Sequence, residues 1–202
     1  MPAPSSVLRE AAAALDRGEA VIFPTETVYG LGVSVRAAAG PDVLYDLKER
    51  DRGKPISWLV GSVDDLDRFG AHVPELALKL ARAYWPGPLT LIVQAAGEVP
   101  EAFRSAAGTI GLRMPDNEVA LDLIKAAGCP LATTSANISG QAATGAFAGL
   151  DPALVARVAA VVPDGADDDK SGLASTVVDC TGERPRILRE GAVTQADIDA
   201  LA

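Results

Sequence analysis

A chain of 202 residues that is 49% hydrophobic is long enough for one domain with a substantial core, and with 4% aromatics that core must be packed mainly from Ala, Val, Leu and Ile. Eighteen Lys and Arg against 27 Asp and Glu leave a net charge of −9, which argues against a protein whose main work is gripping nucleic acid by phosphate neutralisation. No zinc site, disulfide framework or membrane span can be read: Cys129 and Cys180 lack CxxC spacing, the single histidine, His72, lies far from both, and no apolar run approaches the roughly 18–20 residues that cross a bilayer.

The N-terminus has no basic or apolar leader region, so a cytoplasmic protein with reduced cysteines is expected. Ser6 to Arg17 places Val7, Leu8, Ala11 and Leu15 on one helical face and stops at Gly18. Ala20-Val-Ile-Phe23 reads as a buried strand that ends at Pro24 and opens into the polar loop Thr25-Glu26-Thr27. A helix from Pro41, with Val43, Leu44 and Leu47 inward, carries at its C-terminal end the basic cluster Lys48-Glu-Arg-Asp-Arg-Gly-Lys54, either a solvated helix end or an anion site. Further strands are expected at Ile56–Val60, Leu89–Gln94, Thr109–Met114, Leu131–Thr134, Val158–Val162 and Ser175–Cys180. Helices should fill Pro74–Trp85, Asn117–Ala127 and Asp151–Ala156, with a small last one capped at Thr194-Gln-Ala-Asp197. The stretch Gly165–Gly172 reads as an exposed mobile loop rather than a domain boundary. Alternating helices and wholly apolar strands define an α/β or mixed α+β fold, its sheet covered on both faces, in a single domain over residues 1–202.

Polar clusters follow several of these strands, where open α/β sheets gather their ligands. Phe23-Pro-Thr-Glu-Thr-Val-Tyr-Gly30 sets neutral hydroxyls beside one acid, suited to a small polar substrate or simply to a threonine-rich turn. Thr133, Ser135 and Asn137, after the strand at 131–134, suit phosphate or ribose, and equally a cap or Asx turn. Neither GxGxxG nor Walker A occurs, Gly30-Leu-Gly32 is too little to count, and a lone histidine makes histidine-dependent acid–base catalysis improbable. Lys48, Arg50, Lys54, Arg113, Ser175 and Arg189 together form an inventory for phosphoryl or adenylyl chemistry, which works mostly by positioning and charge neutralisation.

Seven phrases in fixed order resemble the YrdC-like family over roughly residues 6–192: Pro24-Thr-Glu-Thr-Val-Tyr-Gly-Leu31, Lys48-x-Arg50, Trp85-Pro-Gly-Pro-Leu-Thr90, Gly111-Leu-Arg-Met-Pro115, Thr134-Ser-Ala-Asn-Ile-Ser-Gly140, Ser175-Thr-Val-Val-Asp179 and Ile187-Leu-Arg-x-Gly191. The resemblance implies a twisted, open mixed sheet flanked by helices with a large concave basic cavity. It also implies a nucleotidyltransferase activity that combines L-threonine, bicarbonate or carbon dioxide, and ATP into threonylcarbamoyl-AMP, releasing pyrophosphate, for threonylcarbamoyladenosine modification of tRNA. Carried over by motif, Thr27, Arg113, Thr133 and Ser175 form the threonine pocket. The same resemblance implies that Arg50, Lys54, Thr109, Ser135, Asn137 and Arg189 contact ATP and that the pairs Lys48-x-Arg50 and Ser135-x-Asn137 are catalytic. Mg²⁺ is expected to accompany ATP, held by phosphates and water, with Glu26 the one nominated acid and no protein metal cage.

One departure from the family pattern is Leu59, at a position where some relatives carry a substrate-contacting histidine; either an apolar wall closes the pocket or the register is shifted by one or two residues. A chain ending at Ala202 reads as the short form, handing its intermediate to separate threonylcarbamoyl-transfer proteins acting on tRNA, with weak direct tRNA binding left open and no membrane partner. Rival readings are an RNA-binding module, which the net charge of −9 weakens, a non-catalytic paralogue, which both signature pairs oppose, and a carbamoyl-adenylate-forming relative, normally fused to a transferase domain.

Overall fold

Short strands that are apolar along their whole length need cover on both faces, and the computed structural model, which describes residues 5–163 and 170–201, supplies it with helices on either side of one ten-stranded sheet. The first half of the chain forms α1 (Ser5–Asp16), β1 (Val21–Phe23), β2 (Gly30–Ser34), α2 (Asp42–Lys48), β3 (Ser57–Leu59), α3 (Asp65–Phe69), β4 (Gly70–Ala71), α4 (Glu75–Tyr84) and β5 (Leu89–Ala95). The second half forms β6 (Thr109–Arg113), α5 (Glu118–Ala127), β7 (Leu131–Ser135), α6 (Pro152–Val155), β8 (Ala160–Val161), β9 (Thr176–Asp179), β10 (Arg186–Arg189) and α7 (Gln195–Asp199). The sheet order is β10-β9-β5-β6-β3-β7-β2-β1-β8, with β4 added on β5. Pairs β3/β6, β5/β9 and β1/β8 are parallel and the others antiparallel, so the sheet is mixed, as expected.

Register decides what each face carries. Ser57 pairs with Gly111 and Thr133, Leu59 with Arg113 and Leu131, Gly30 with Ser135 and Gly32 with Thr133, and paired or alternate residues share a face. Part of that face is covered by α1 and α5, whose Ala11, Leu15, Val119, Leu123 and Ile124 bury Val21, Phe23, Leu59 and Leu131. Its remainder is polar and becomes the floor of a cavity. The opposite face, with Ile22, Leu31, Trp58, Leu112 and Ala132, packs the larger core against Leu44, Leu47, Leu66 and Leu80. Trp58 is wedged edge-on between Phe69 and Phe103, at 5.4 and 5.6 Å between ring centroids.

The helix ends follow their residues. Asn117 caps α5 by accepting from Ala120 N at 3.0 Å, and Gly128 ends it in the left-handed region, at φ 63°. Thr194 and Asp197 form the expected capping box of α7. Four elements differ from the sequence reading, which had no strand at β2, β4 or β10 and no helix at α3. Strand β2 was hidden by Gly30 and Gly32, residues that weaken a strand unless another group needs to come close. At Gly32 it does: an added Cβ would lie 2.9 Å from Phe23 Cε1 and 3.0 Å from Thr133 Oγ1. The expected loop at Gly165–Gly172 falls mostly outside the described residues. Cys129 and Cys180 are free thiols, and burial pushes Cys180 up to about 12.

Candidate active site

Pro24 ends β1 and turns the chain into a loop tied by its own hydroxyls. Thr25 Oγ1 donates to Val28 O at 2.6 Å and lies 2.9 Å from Thr27 Oγ1. Segments from elsewhere hold the loop down, since Gly172 N donates to Thr27 O, and Tyr29 N to Thr144 O at 2.8 Å. Thr27, 1% exposed, is thereby aimed at Arg113, the last residue of β6.

The Arg113 guanidinium is locked on two sides. Its Nη2 donates to Glu26 Oε1 at 2.6 Å and to Thr27 Oγ1 at 3.0 Å, and its Nε to Gly87 O at 3.2 Å. Gly87 belongs to the Trp85-Pro-Gly-Pro phrase, itself pinned by Trp85 Nε1 to Leu89 O at 2.7 Å and Gly87 N to Met114 O at 2.8 Å. Nη1 makes no hydrogen bond among the described residues, so one edge of the fork stays open to a ligand. Glu26 Oε2 is buried without a partner.

On the other flank, Thr90 Oγ1 and Ser175 Oγ are 2.8 Å apart, and Arg189 bonds back to Ser175 O at 2.9 Å and Ser175 Oγ at 3.1 Å. The Ile187-Leu-Arg-x-Gly191 phrase permits this return: a Cβ at Gly191 would sit 2.4 Å from Ala174 O. Arg50 enters from a third direction. Helix α2 stops because Glu49 takes the left-handed conformation at φ 52°, and Arg50 then donates to Thr134 Oγ1 at 2.7 Å and Pro55 O at 3.1 Å, leaving Nε buried without a partner. Burial makes both Arg50 and Arg189 less basic than ordinary guanidinium groups, and Arg189 is lowered further by the charges of Arg113 and Arg50.

These groups line one cavity of about 180 Å³. That is below the roughly 300–1,000 Å³ of typical small-molecule sites, so it encloses an amino-acid-sized ligand and leaves anything larger projecting from its open side. Of the residues nominated from the sequence, Thr27, Arg50, Arg113, Thr133, Ser135, Ser175 and Arg189 line it. Lys48, Lys54, Thr109 and Asn137 do not. Lys54 is exposed, with its carbonyl accepting from Tyr45 OH at 2.9 Å. Thr109 sits four residues before Arg113 on β6, about 13 Å at a strand's rise, with its hydroxyl 2.7 Å from that of Ser105. Lys48 and Asn137 lie behind the lining, bonded to each other. Leu59, 4% exposed, is part of the lining beside Arg113 and presents an apolar surface there, and Ser57, two residues before it, lines the cavity as well. The sequence reading had no role for Ser57, Thr90 or Thr134. The one signal for Ser57 was its two-residue offset from Leu59, which puts both on the same face.

A mixed α/β sheet whose open face gathers three guanidiniums and a set of neutral hydroxyls, with no histidine in the lining, offers the kind of chemistry that pairs with small anionic groups. The family model Sua5_yciO_yrdC, described as "Telomere recombination", matches residues 13–191, and the chain belongs to that family. It is 36% identical to the threonylcarbamoyl-AMP synthase of Bacillus subtilis over 96% of this chain and 56% of that protein. It is 39% identical to a putative threonylcarbamoyl-AMP synthase of Mycobacterium leprae over 95% of this chain and 86% of the relative. The crystal structure of P. abyssi Sua5 complexed with L-threonine superposes with a TM-score of 0.87 at 32% identity, covering 96% of this chain and 56% of that one. The chain thus spans little more than half the length of the Bacillus and Pyrococcus proteins.

Proposed function

We propose that this chain is an enzyme that makes threonylcarbamoyl-AMP from L-threonine, bicarbonate or carbon dioxide, and ATP, releasing pyrophosphate, for threonylcarbamoyladenosine modification of tRNA. The observation that carries the reading is the convergence of Thr27, Arg113, Thr133 and Ser175 with Arg50, Ser135 and Arg189 on one cavity. The name of the Mycobacterium relative, most of which this chain covers, and the L-threonine complex of the Pyrococcus protein support it.

In this reading the open Nη1 edge of Arg113 takes the amino-acid carboxylate, hydroxyls of Thr27 and Thr133 face the substrate hydroxyl, and Leu59 meets its methyl group. The neutral amine of threonine attacks carbon dioxide and loses a proton, giving a carbamate. A carbamate oxygen then attacks the α-phosphorus of ATP, and the bond to the bridging oxygen breaks so that pyrophosphate leaves with the electron pair. No side chain becomes covalently attached. Arg50 and Arg189 supply positive charge for the triphosphate, and their burial strengthens each interaction by excluding water. Among the described residues no group of three or more His, Cys, Asp or Glu is placed to hold a metal, and Glu26 is already engaged by Arg113. In this scheme Mg²⁺ enters with ATP, held by its phosphates and water, and no residue here is assigned to it. The product would pass, in the cytoplasm, to separate proteins that transfer it to tRNA.

Pyrophosphate release should require threonine and bicarbonate together. Equal release with either omitted counts decisively against the proposal.

A further inference from the structure

Lys48 is 2% exposed, yet it makes no ion pair among the described residues. Its ammonium donates to Ser135 O and Asn137 O, both at 2.5 Å, and to Asn137 Oδ1 at 3.2 Å. Three donors meet three acceptors, all on one turn, and none remains for a ligand. The turn is cross-braced through the same amide. Asn137 Oδ1 also accepts from Ser135 Oγ at 2.5 Å, while Asn137 Nδ2 donates to Ile138 O and Gln141 O, both at 2.9 Å. Ser139 N returns a bond to Lys48 O at 2.9 Å, and two residues on, Arg50 holds Thr134. The end of α2 and the end of β7 are therefore stitched together directly behind the cavity, and Ser135 is the member of the stitched turn that faces into it.

A buried charge without a counter-ion is a costly way to tie two backbones together, and a neutral donor would serve a purely structural tie as well. We propose that Lys48 is a positioning residue: from behind the cavity it clamps the 135–137 turn, fixing Ser135 beside Arg50 in the geometry that binds nucleotide, without touching the nucleotide itself. This rests on the functional reading above only in naming ATP as the ligand.

Burial, then the charge of Arg50, lowers Lys48 to about 8. Residues 135–141 carry no titratable side chain, and Arg157, which bonds Asp46 O and Leu47 O, engages the other side of the helix end. As pH rises through about 8 the clamp loses one of its three donors, so ATP affinity should fall along an alkaline limb there.

The test is a double-mutant cycle of Lys48→Met and Asn137→Ala, read by ATP-binding calorimetry, with thermal melts to confirm folding and hydrogen exchange over residues 135–141. Each single variant should weaken ATP about tenfold or more and leave the threonine KM within about twofold, and the double variant should be no worse than the poorer single. Lys48→Arg, which keeps its charge at all accessible pH, should recover part of the affinity and flatten the alkaline limb. Multiplicative losses in the double variant would mean Lys48 contacts ATP independently and would overturn the clamp. Faster exchange of the turn with unchanged ATP affinity would overturn the positioning role. If the wild-type protein binds ATP but releases no pyrophosphate with threonine and bicarbonate, the enzymatic reading fails while the cycle still reports on Lys48.

Discussion

Gly32→Ala tests whether the cavity floor depends on a missing side chain. The added Cβ would lie 2.9 Å from Phe23 Cε1, 3.0 Å from Thr133 Oγ1 and 3.2 Å from Ala132 O. Phe23 is fully buried under α1 and α5 and cannot retreat, the carbonyl is part of the sheet, and Thr133 already donates to Leu131 O at 3.0 Å. Overpacking of this kind costs about 1–3 kcal/mol. At about 2–4 °C per kcal/mol for a domain of this size, the melting temperature should fall by roughly 2–12 °C. Displacing Thr133 should also raise the threonine KM. Gly97→Ala is the control, because nothing lies within 4 Å of its added Cβ and its φ is not left-handed; it should stabilise by about 0.4–1 kcal/mol through the unfolded chain. Paired thermal and denaturant unfolding would decide. A Gly32→Ala protein within about 0.5 kcal/mol of wild type, or shifted in the same direction as Gly97→Ala, would refute the reasoning.

Arg50→Ala removes a half-buried cation and should weaken ATP binding about tenfold or more, equivalent to about 1.4 kcal/mol; unchanged binding in calorimetry would take Arg50 out of the site. Leu59→Ala should narrow the preference for threonine over serine, a gap of about 1–3 kcal/mol for one methyl, while ATP affinity stays the same, as competition kinetics with the two amino acids would show. Valine should be rejected more strongly than serine because it leaves a hydroxyl partner unpaired, and valine binding as tightly as threonine would show the pocket to be misassigned. The buried Lys48 also makes a stability prediction. Its folded value of about 8 lies below the unfolded 10.5, so between these limits the unfolded chain holds more protons and stability should rise with pH; the difference between wild type and Lys48→Arg in urea unfolding should grow across that window and not below it.

Much of the architecture is decided locally and is therefore legible in the chain itself. The helices carry an apolar stripe and ordinary stop signals, Gly18 and Gly128 in left-handed turns and the Thr194–Asp197 box, and the strands at β1, β5, β6 and β7 are short apolar runs broken by Pro, Gly or polar residues. Chemistry-bearing residues at strand ends could be nominated for the same reason, since a strand's end delivers its next residues to the sheet rim. What local pattern cannot carry is pairing register and the direction in which a side chain leaves a turn. Strand β2 exists because Phe23 and Thr133 close over its glycines from β1 and β7, a requirement that arises only once those strands are neighbours. Leu59 faces the cavity because its pairing with Arg113 and Leu131 puts all three on one face of the sheet. Lys48 and Arg50, two residues apart in one basic cluster, have opposite fates because Glu49 reverses the backbone between them: the first is driven behind the cavity wall onto the carbonyls of the 135–137 turn, the second into the cavity, and that separation is made by the seating of α2 on the sheet at β2, beside β7.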